Sequence, residues 1–146
     1  MIKTLKLSKY NTKDSEGNSN GFVVPIFNVH DDFFKENDHD PKQFYLTSVN
    51  PNKTKGPHKH FIRQGCFCCI SGNIKVVIKL DGSYKEFYSG VNHDYQAIII
   101  PRGIPALLIN ESEDEEALVI NMPDPSWAPD MDDEHSEDFS SYFNNE

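Results

Sequence analysis

The run Lys55-Gly56-Pro57-His58-Lys59-His60-Phe61-Ile62-Arg63-Gln64-Gly65 holds the densest set of residues able to do chemistry in this chain. If the segment is a strand, His58 and His60 share a face, because side chains alternate with period two. Two imidazoles facing one cavity can hold a metal or pass protons near neutral pH. Arg63 falls on the opposite face if the strand runs on regularly. Cys66 and Cys69 form a C-x-x-C pattern. On a strand those two point to opposite sides, whereas a redox pair needs a helix N-terminus. Cys66 and Cys68 share a face and read as small core hydrophobes. His30, His39 and His135 lie in acidic stretches with no partner at metal-ligand spacing, and His93 reads as a surface loop residue.

The elements that must position these residues are strands. Gly, Pro, Asn and Asp recur at short intervals, with brief apolar or alternating runs between them. The runs predict strands over 21–28, 43–49, 64–71, 73–80, 84–88, 97–100, 106–110 and 117–121. Asp81-Gly82, set between two alternating runs, predicts a two-residue hairpin. Many short strands at this spacing imply an all-β sandwich or barrel. Segment 31–42 reads as a polar loop or a single helical turn. Residues 130–146 could hold one short acidic helix. Trp127, inside Pro-Asp-Pro-Ser-Trp-Ala-Pro, could cover a barrel mouth, dock on a partner or pack in the core.

Charge narrows the function classes. The chain carries 14 Lys+Arg against 23 Asp+Glu, a formal charge of −9. Such an acidic chain repels phosphate backbones, so nucleic acid is not an expected partner. The charge is uneven. Residues 1–110 carry 14 bases against 10 acids, while residues 111–146 carry 13 acids and no Lys or Arg. A mildly basic body remains compatible with an anionic small ligand. No apolar run approaches a membrane span, and the start lacks the apolar stretch of a signal peptide. Three clustered cysteines do not make a disulfide framework, so a reducing cytoplasm is the expected location.

The histidine run and a second motif resemble the cupin superfamily. A first cupin motif has His-x-His, a Glu a few residues on, then a Gly; here stand His58-x-His60, Gln64 and Gly72. A second has Pro-x-Gly-x-x-His-x-x-x-Asn; here stand Pro101-x-Gly103-x-x-Ala106-x-x-x-Asn110. Two of the four usual metal ligands are thus replaced by Gln64 and Ala106. Two histidines alone seldom hold a catalytic metal. The chain reads as a cupin that has abandoned its metal, with no cofactor expected. Among metal-free cupins it resembles the dTDP-4-dehydrorhamnose 3,5-epimerases and the dTDP-4-keto-6-deoxyglucose 3,4-ketoisomerases. The ketoisomerases carry Arg-Gly-x-His-x-His, matched here by Lys55-Gly56-Pro57-His58-Lys59-His60. The epimerases carry a catalytic Tyr that would fall near Ile120, where this chain has none. The ketoisomerases carry a Tyr on the strand before the histidines, a place that Tyr45 fits.

The resemblance implies a double-stranded β-helix (a jelly-roll barrel) forming one domain over 1–146, with a core of about 14–122 and an acidic extension over 123–146. It implies a cytoplasmic enzyme that isomerises or epimerises a nucleotide-linked 4-keto-6-deoxysugar, for polysaccharide or deoxysugar synthesis. His58 would be the base and His60 its partner. Tyr45 would serve the developing enolate. Lys55, Arg63, Gln64 and Arg102 would bind the nucleotide sugar. A homodimer is expected, since small barrels often pair sheets across a two-fold axis. Two rivals stay open. One is a sugar- or small-ligand-binding cupin without catalysis. The other is a metal-dependent cupin using His58, His60 and Gln64.

Overall fold

β-branched and aromatic residues between turn formers give this chain strands almost throughout. In the computed structural model, which describes residues 2–144, twelve strands and two five-residue helices follow one another. They are β1 Lys3–Lys6, β2 Tyr10–Lys13, β3 Ser19–Val23, α1 Asp32–Glu36, β4 Tyr45–Val49, β5 Thr54–His60, β6 Gly65–Ser71, β7 Asn73–Leu80, β8 Ser83–Gly90, β9 Gln96–Ile100, β10 Ala106–Ile109, β11 Ala117–Asn121, β12 Glu134–Ser136 and α2 Ser140–Asn144. Two antiparallel sheets, ordered β1-β9-β6-β11-β4 and β12-β5-β10-β7-β8, enclose the core. This is the expected double-stranded β-helix.

Alternation sorts the apolar residues into three layers. Val49, Cys69, Ile98, Ile100 and Val119 of the first sheet meet Ile74, Val76, Ile78 and Leu108 of the second inside the barrel. On the outer face of the first sheet, Cys66, Cys68, Ala97 and Ile99 pack beneath Leu7 and Phe34 of α1. On the outer face of the second, Val77, Leu107 and Ile109 pack beneath Phe139 and Tyr142. Asp81 and Gly82 turn β7 into β8 with φ of 52° and 78°, the left-handed pair that a two-residue hairpin requires.

The structure departs from the sequence reading in several places. The strand expected over 21–28 runs instead as Ser19–Val23 and pairs only with β2, as an exposed two-stranded ribbon. Paired elements also lie outside 14–122: β1 pairs with β9, and β12 pairs with β5. The helix in the acidic tail is α2, Ser140–Asn144, and carries no acid. Its apolar side, Phe139 and Tyr142, is what holds it to the barrel.

The β5–β10 pairing carries a register shift that bears on the site. Ala106 pairs with His58 but Leu108 pairs with Lys55, so one extra residue bulges from β5 at Gly56-Pro57. Gly56 has φ +95°, and a Cβ there would lie 2.9 Å from the Ala106 carbonyl oxygen. Only glycine fits this approach. The bulge resets the alternation, so Lys55, an odd number of residues from His58, reaches the same cavity.

The tail's attachment is testable. Phe139→Ala empties a buried ring site and is expected to cost about 3 kcal/mol, read as a shift of the urea unfolding midpoint. An unchanged midpoint would show that the tail adds nothing to the packing.

Candidate active site

β4, β5, β6, β9 and β10 surround a cavity of about 540 Å³, within the usual size of a small-ligand site. Phe67, Ile100, Ile104 and Leu108 make its apolar wall. Tyr45, Lys55, His58, His60, Arg63 and Glu134 make its polar part. Trp127 and Gln43 stand at its rim, joined by a 2.8 Å hydrogen bond from the Trp127 amide to Gln43 Oε1. Trp127 thus lies at the cavity and is 45% exposed, so it is not a core residue.

His58 and His60 point into the cavity, as alternation along β5 requires. Between them lies Glu134 of β12, whose Oε1 is 3.2 Å from His58 Nδ1 and 3.5 Å from His60 Nε2. A carboxylate on Nδ1 holds that nitrogen's proton and leaves Nε2 with its lone pair free. His60 Nε2 is buried and has no hydrogen-bond partner. Burial and then the Arg63 guanidinium hold the His60 imidazole below its ordinary pKa, against the pull of Asp133 and Glu134.

Arg63 departs from the expected face. β5 ends at His60 and the chain bends at Phe61-Ile62, which turns Arg63 back into the cavity wall. There it meets Asp133, which is 1% exposed. Arg63 Nε donates to Asp133 Oδ2 at 2.6 Å, and the Ile62 and Arg63 amides donate to Oδ1 at 2.5 and 3.2 Å. Arg63 Nη1 donates to the Tyr45 hydroxyl at 3.0 Å, and Asn121 Nδ2 donates to the same oxygen at 2.6 Å. Burial pushes the Asp133 carboxyl up, but Arg63 and the two amides outweigh it and hold it below the usual carboxylate range.

Two expected ligand contacts lie elsewhere. The Gln64 side chain turns from the cavity and donates to His39 Nδ1 at 2.8 Å, while His39 Nε2 donates to the Met122 carbonyl at 2.7 Å. His39 lies in a loop, as expected, but it is a buried structural imidazole whose pKa burial lowers. Arg102 donates from Nε to the Ile62 carbonyl at 2.6 Å and from Nη2 to the Asp124 carbonyl at 3.1 Å. It braces the bend after β5 rather than lining the cavity. Lys55 takes part in none of the ion pairs among the described residues and lines the cavity with its charge free.

Neither replaced cupin position supplies a metal ligand here. Ala106 sits beside His58 on β10, and Gln64 faces away. Among the described residues no group of three His, Cys, Asp or Glu side chains is placed to hold a metal ion. The cysteines are all buried, and burial pushes the thiols of Cys68 and Cys69 up to about 12 and 11, which keeps them protonated.

Comparison with known proteins fits this architecture. The family model described as "FdtA: WxcM-like, C-terminal" matches residues 27–144, from the approach to α1 through β12 and α2. The chain belongs to this family. Solved structures share the fold. A dTDP sugar isomerase from Desulfovibrio desulfuricans superposes with a TM-score of 0.77 at 19% identity, over 97% of this chain and 87% of that one. The sugar 3,4-ketoisomerase QdtA from Thermoanaerobacterium thermosaccharolyticum, in complex with TDP, gives 0.67 at 15% identity over 99% and 93%. The rmlC epimerase of Mycobacterium tuberculosis gives 0.70 at 16% over 92% and 68%. No curated protein matches by sequence. The match runs through residue 144 and so includes most of the acidic tail. Nothing in the sequence marked Asp133, Glu134 or Asn121; the register that sets Asn121 opposite Tyr45 is visible only in the structure.

The buried groups set an acid response. His39 and His60 stay neutral in the folded chain below 6.5, the ordinary imidazole value. The unfolded chain then binds more protons, so stability falls as the pH drops through that value. Asp133 adds stability above the ordinary carboxyl value of 3.8 and loses it as the pH falls further. Asp133→Asn is expected to cost about 3 kcal/mol at pH 7, because it strands a buried guanidinium, and progressively less below that carboxyl value. Urea unfolding across pH checks both steps. A cost independent of pH would remove the ion pair as its cause.

Proposed function

We propose that this chain is a metal-independent isomerase of a nucleotide-linked 4-keto-6-deoxysugar, moving the ketone from C4 to C3. The observation that carries the reading is the convergence of His58, His60, Glu134 and Tyr45 in one half-apolar cavity, with Lys55 free beside them. Such a cavity can take a sugar ring while the cation meets a diphosphate. A lysine meets it as a point charge, without the fork of an arginine.

The ketone at C4 acidifies the C3 proton. His58 Nε2 takes that proton, and the electron pair moves into a C3=C4 bond as charge develops on O4. A hydrogen bond from the Tyr45 hydroxyl steadies that oxygen. Glu134 stabilises the imidazolium that forms, as a carboxylate behind a histidine does. The proton on His58 exchanges with solvent, His58 delivers a solvent proton to C4, and the O3 hydroxyl proton passes to O4. One C–H bond breaks and one forms, so no oxidant or co-reactant is required. Neutral His60 avoids a second cation beside the charged His58.

One observation favours ketoisomerisation over 3,5-epimerisation. Ile120 packs on the outer face of the first sheet, so no tyrosine serves the cavity from that position. Polysaccharide or deoxysugar synthesis, a cytoplasmic setting and a homodimer accompany this reading.

The test is NMR of dTDP-4-keto-6-deoxyglucose with the protein in D₂O. The expected product is a 3-ketone carrying deuterium at C4. Deuterium at C3 and C5 with inversion would instead make the chain an epimerase. His58→Asn is expected to slow turnover about 10³-fold while the ligand Kd changes little. A wild-type protein that binds but neither exchanges a proton nor forms the 3-ketone would establish the non-catalytic reading.

A further inference from the structure

The hydrogen bonds on Tyr45 fix more than its position. Asn121 lies directly across from Tyr45 in the β11–β4 register. Its side chain bridges two neighbours. Asn121 Oδ1 accepts the Cys66 backbone N–H at 3.2 Å, and Asn121 Nδ2 reaches the Tyr45 oxygen at 2.6 Å. A backbone N–H can only donate, so the atom that meets it must be the amide oxygen. The amide nitrogen therefore faces Tyr45, and an NH₂ group can only donate. The second partner, Arg63 Nη1, can only donate as well. Its guanidinium cannot swing away, because Nε is held on buried Asp133.

We infer that Asn121 is a positioning residue that sets the hydrogen-bond polarity of Tyr45. Two obligate donors occupy the acceptor side of one phenolic oxygen. The single Tyr45 proton is left to donate, and the open direction is the cavity that Tyr45 lines. Donors on the oxygen also polarise the O–H bond and strengthen it as a donor. The group that Tyr45 meets is then an acceptor: a carbonyl or enediolate oxygen. The polarity stands on protein geometry alone, whereas its use in turnover rests on the isomerase reading.

Asn121→Asp tests this with almost no change of shape. The variant keeps an oxygen for the Cys66 N–H but replaces the donor facing Tyr45 with an acceptor. The Tyr45 proton is then drawn onto the new carboxylate and away from the cavity. The C–O stretching band of Tyr45 in ultraviolet resonance Raman, isolated by subtracting Tyr45→Phe, is expected to move toward that of a phenol donating to carboxylate. This readout needs no substrate. With substrate, kcat is expected to fall about 100-fold with KM within about threefold, as when a transition-state contact alone is lost. The Tyr45→Phe, Asn121→Asp double variant is expected to be no slower than Tyr45→Phe, because both act through one hydroxyl.

The unmutated protein supplies a check that survives misfolding of the variant. The Asn121 side-chain NH₂ protons are expected to show NOEs to the Tyr45 ring protons. NOEs to the Cys66 amide instead, or a Raman band unmoved in folded Asn121→Asp, would overturn the polarity. A Tyr45→Phe variant with wild-type turnover would sink the isomerase role of Tyr45, while the Raman band and the NOEs still decide the polarity.

Discussion

The site depends on one buried ion pair, Arg63 with Asp133, joined across 70 positions of sequence. Neither charge could be buried alone at tolerable cost. Together they leave little unsatisfied, since the Asp133 carboxylate receives three N–H groups over its two oxygens. The pair does three things at once. It stabilises the bend that ends β5. It fixes the guanidinium that touches Tyr45. It also anchors the tail at the residue before Glu134, which brings a carboxylate onto both histidines.

The acidic tail is therefore a strap rather than a solvated extension. Its path is pinned at successive points by the bases of the barrel. Lys59 pairs with Glu137 at 2.6 Å, and Lys79 donates to the Asp138 carbonyl at 3.3 Å. Beyond them, Phe139 and Tyr142 cover the outer face of β7 and β10. Lys75 sits under that cover. Burial alone would lower its pKa, but hydrogen bonds with Tyr142 and Glu111 outweigh the burial and keep it charged. All the Lys and Arg residues precede residue 103, so the acidic strap that closes on the barrel carries none of them.

Local patterns carried much of this in the sequence, and the exceptions have physical causes. The histidine pair, the Asp81-Gly82 hairpin and the buried cysteines follow from alternation and turn chemistry, which act over a few residues. Lys55 reaches the cavity only because of a bulge, and the close approach of Gly56 to Ala106 is set by a strand fifty residues away. Arg63 returns to the cavity because the strand stops, and it stops because Asp133 captures the amides of Ile62 and Arg63. Gln64 and Arg102 are polar residues of the right type near the motifs. Each is instead consumed by a neighbouring imidazole or backbone carbonyl, partners that periodicity cannot reveal.

The charge balance within the cavity follows from these placements. Asp133 cancels Arg63 at contact distance, so the guanidinium offers Tyr45 a rigid donor rather than a free positive charge. Glu134 is left to compensate whichever histidine takes a proton, and the lowered pKa of His60 confines that role to one cation at a time. Lys55 remains as the uncompensated charge lining the cavity. Ala106 stands where a cupin would place a ligating histidine, and it offers the cavity no polar group. Among the cavity groups, Tyr45 is the one whose own partners, Arg63 and Asn121, both donate to its oxygen. A site built this way favours neutral acceptors in its interior and anionic groups beside Lys55, the division of charge found in a keto-sugar linked to a nucleoside diphosphate.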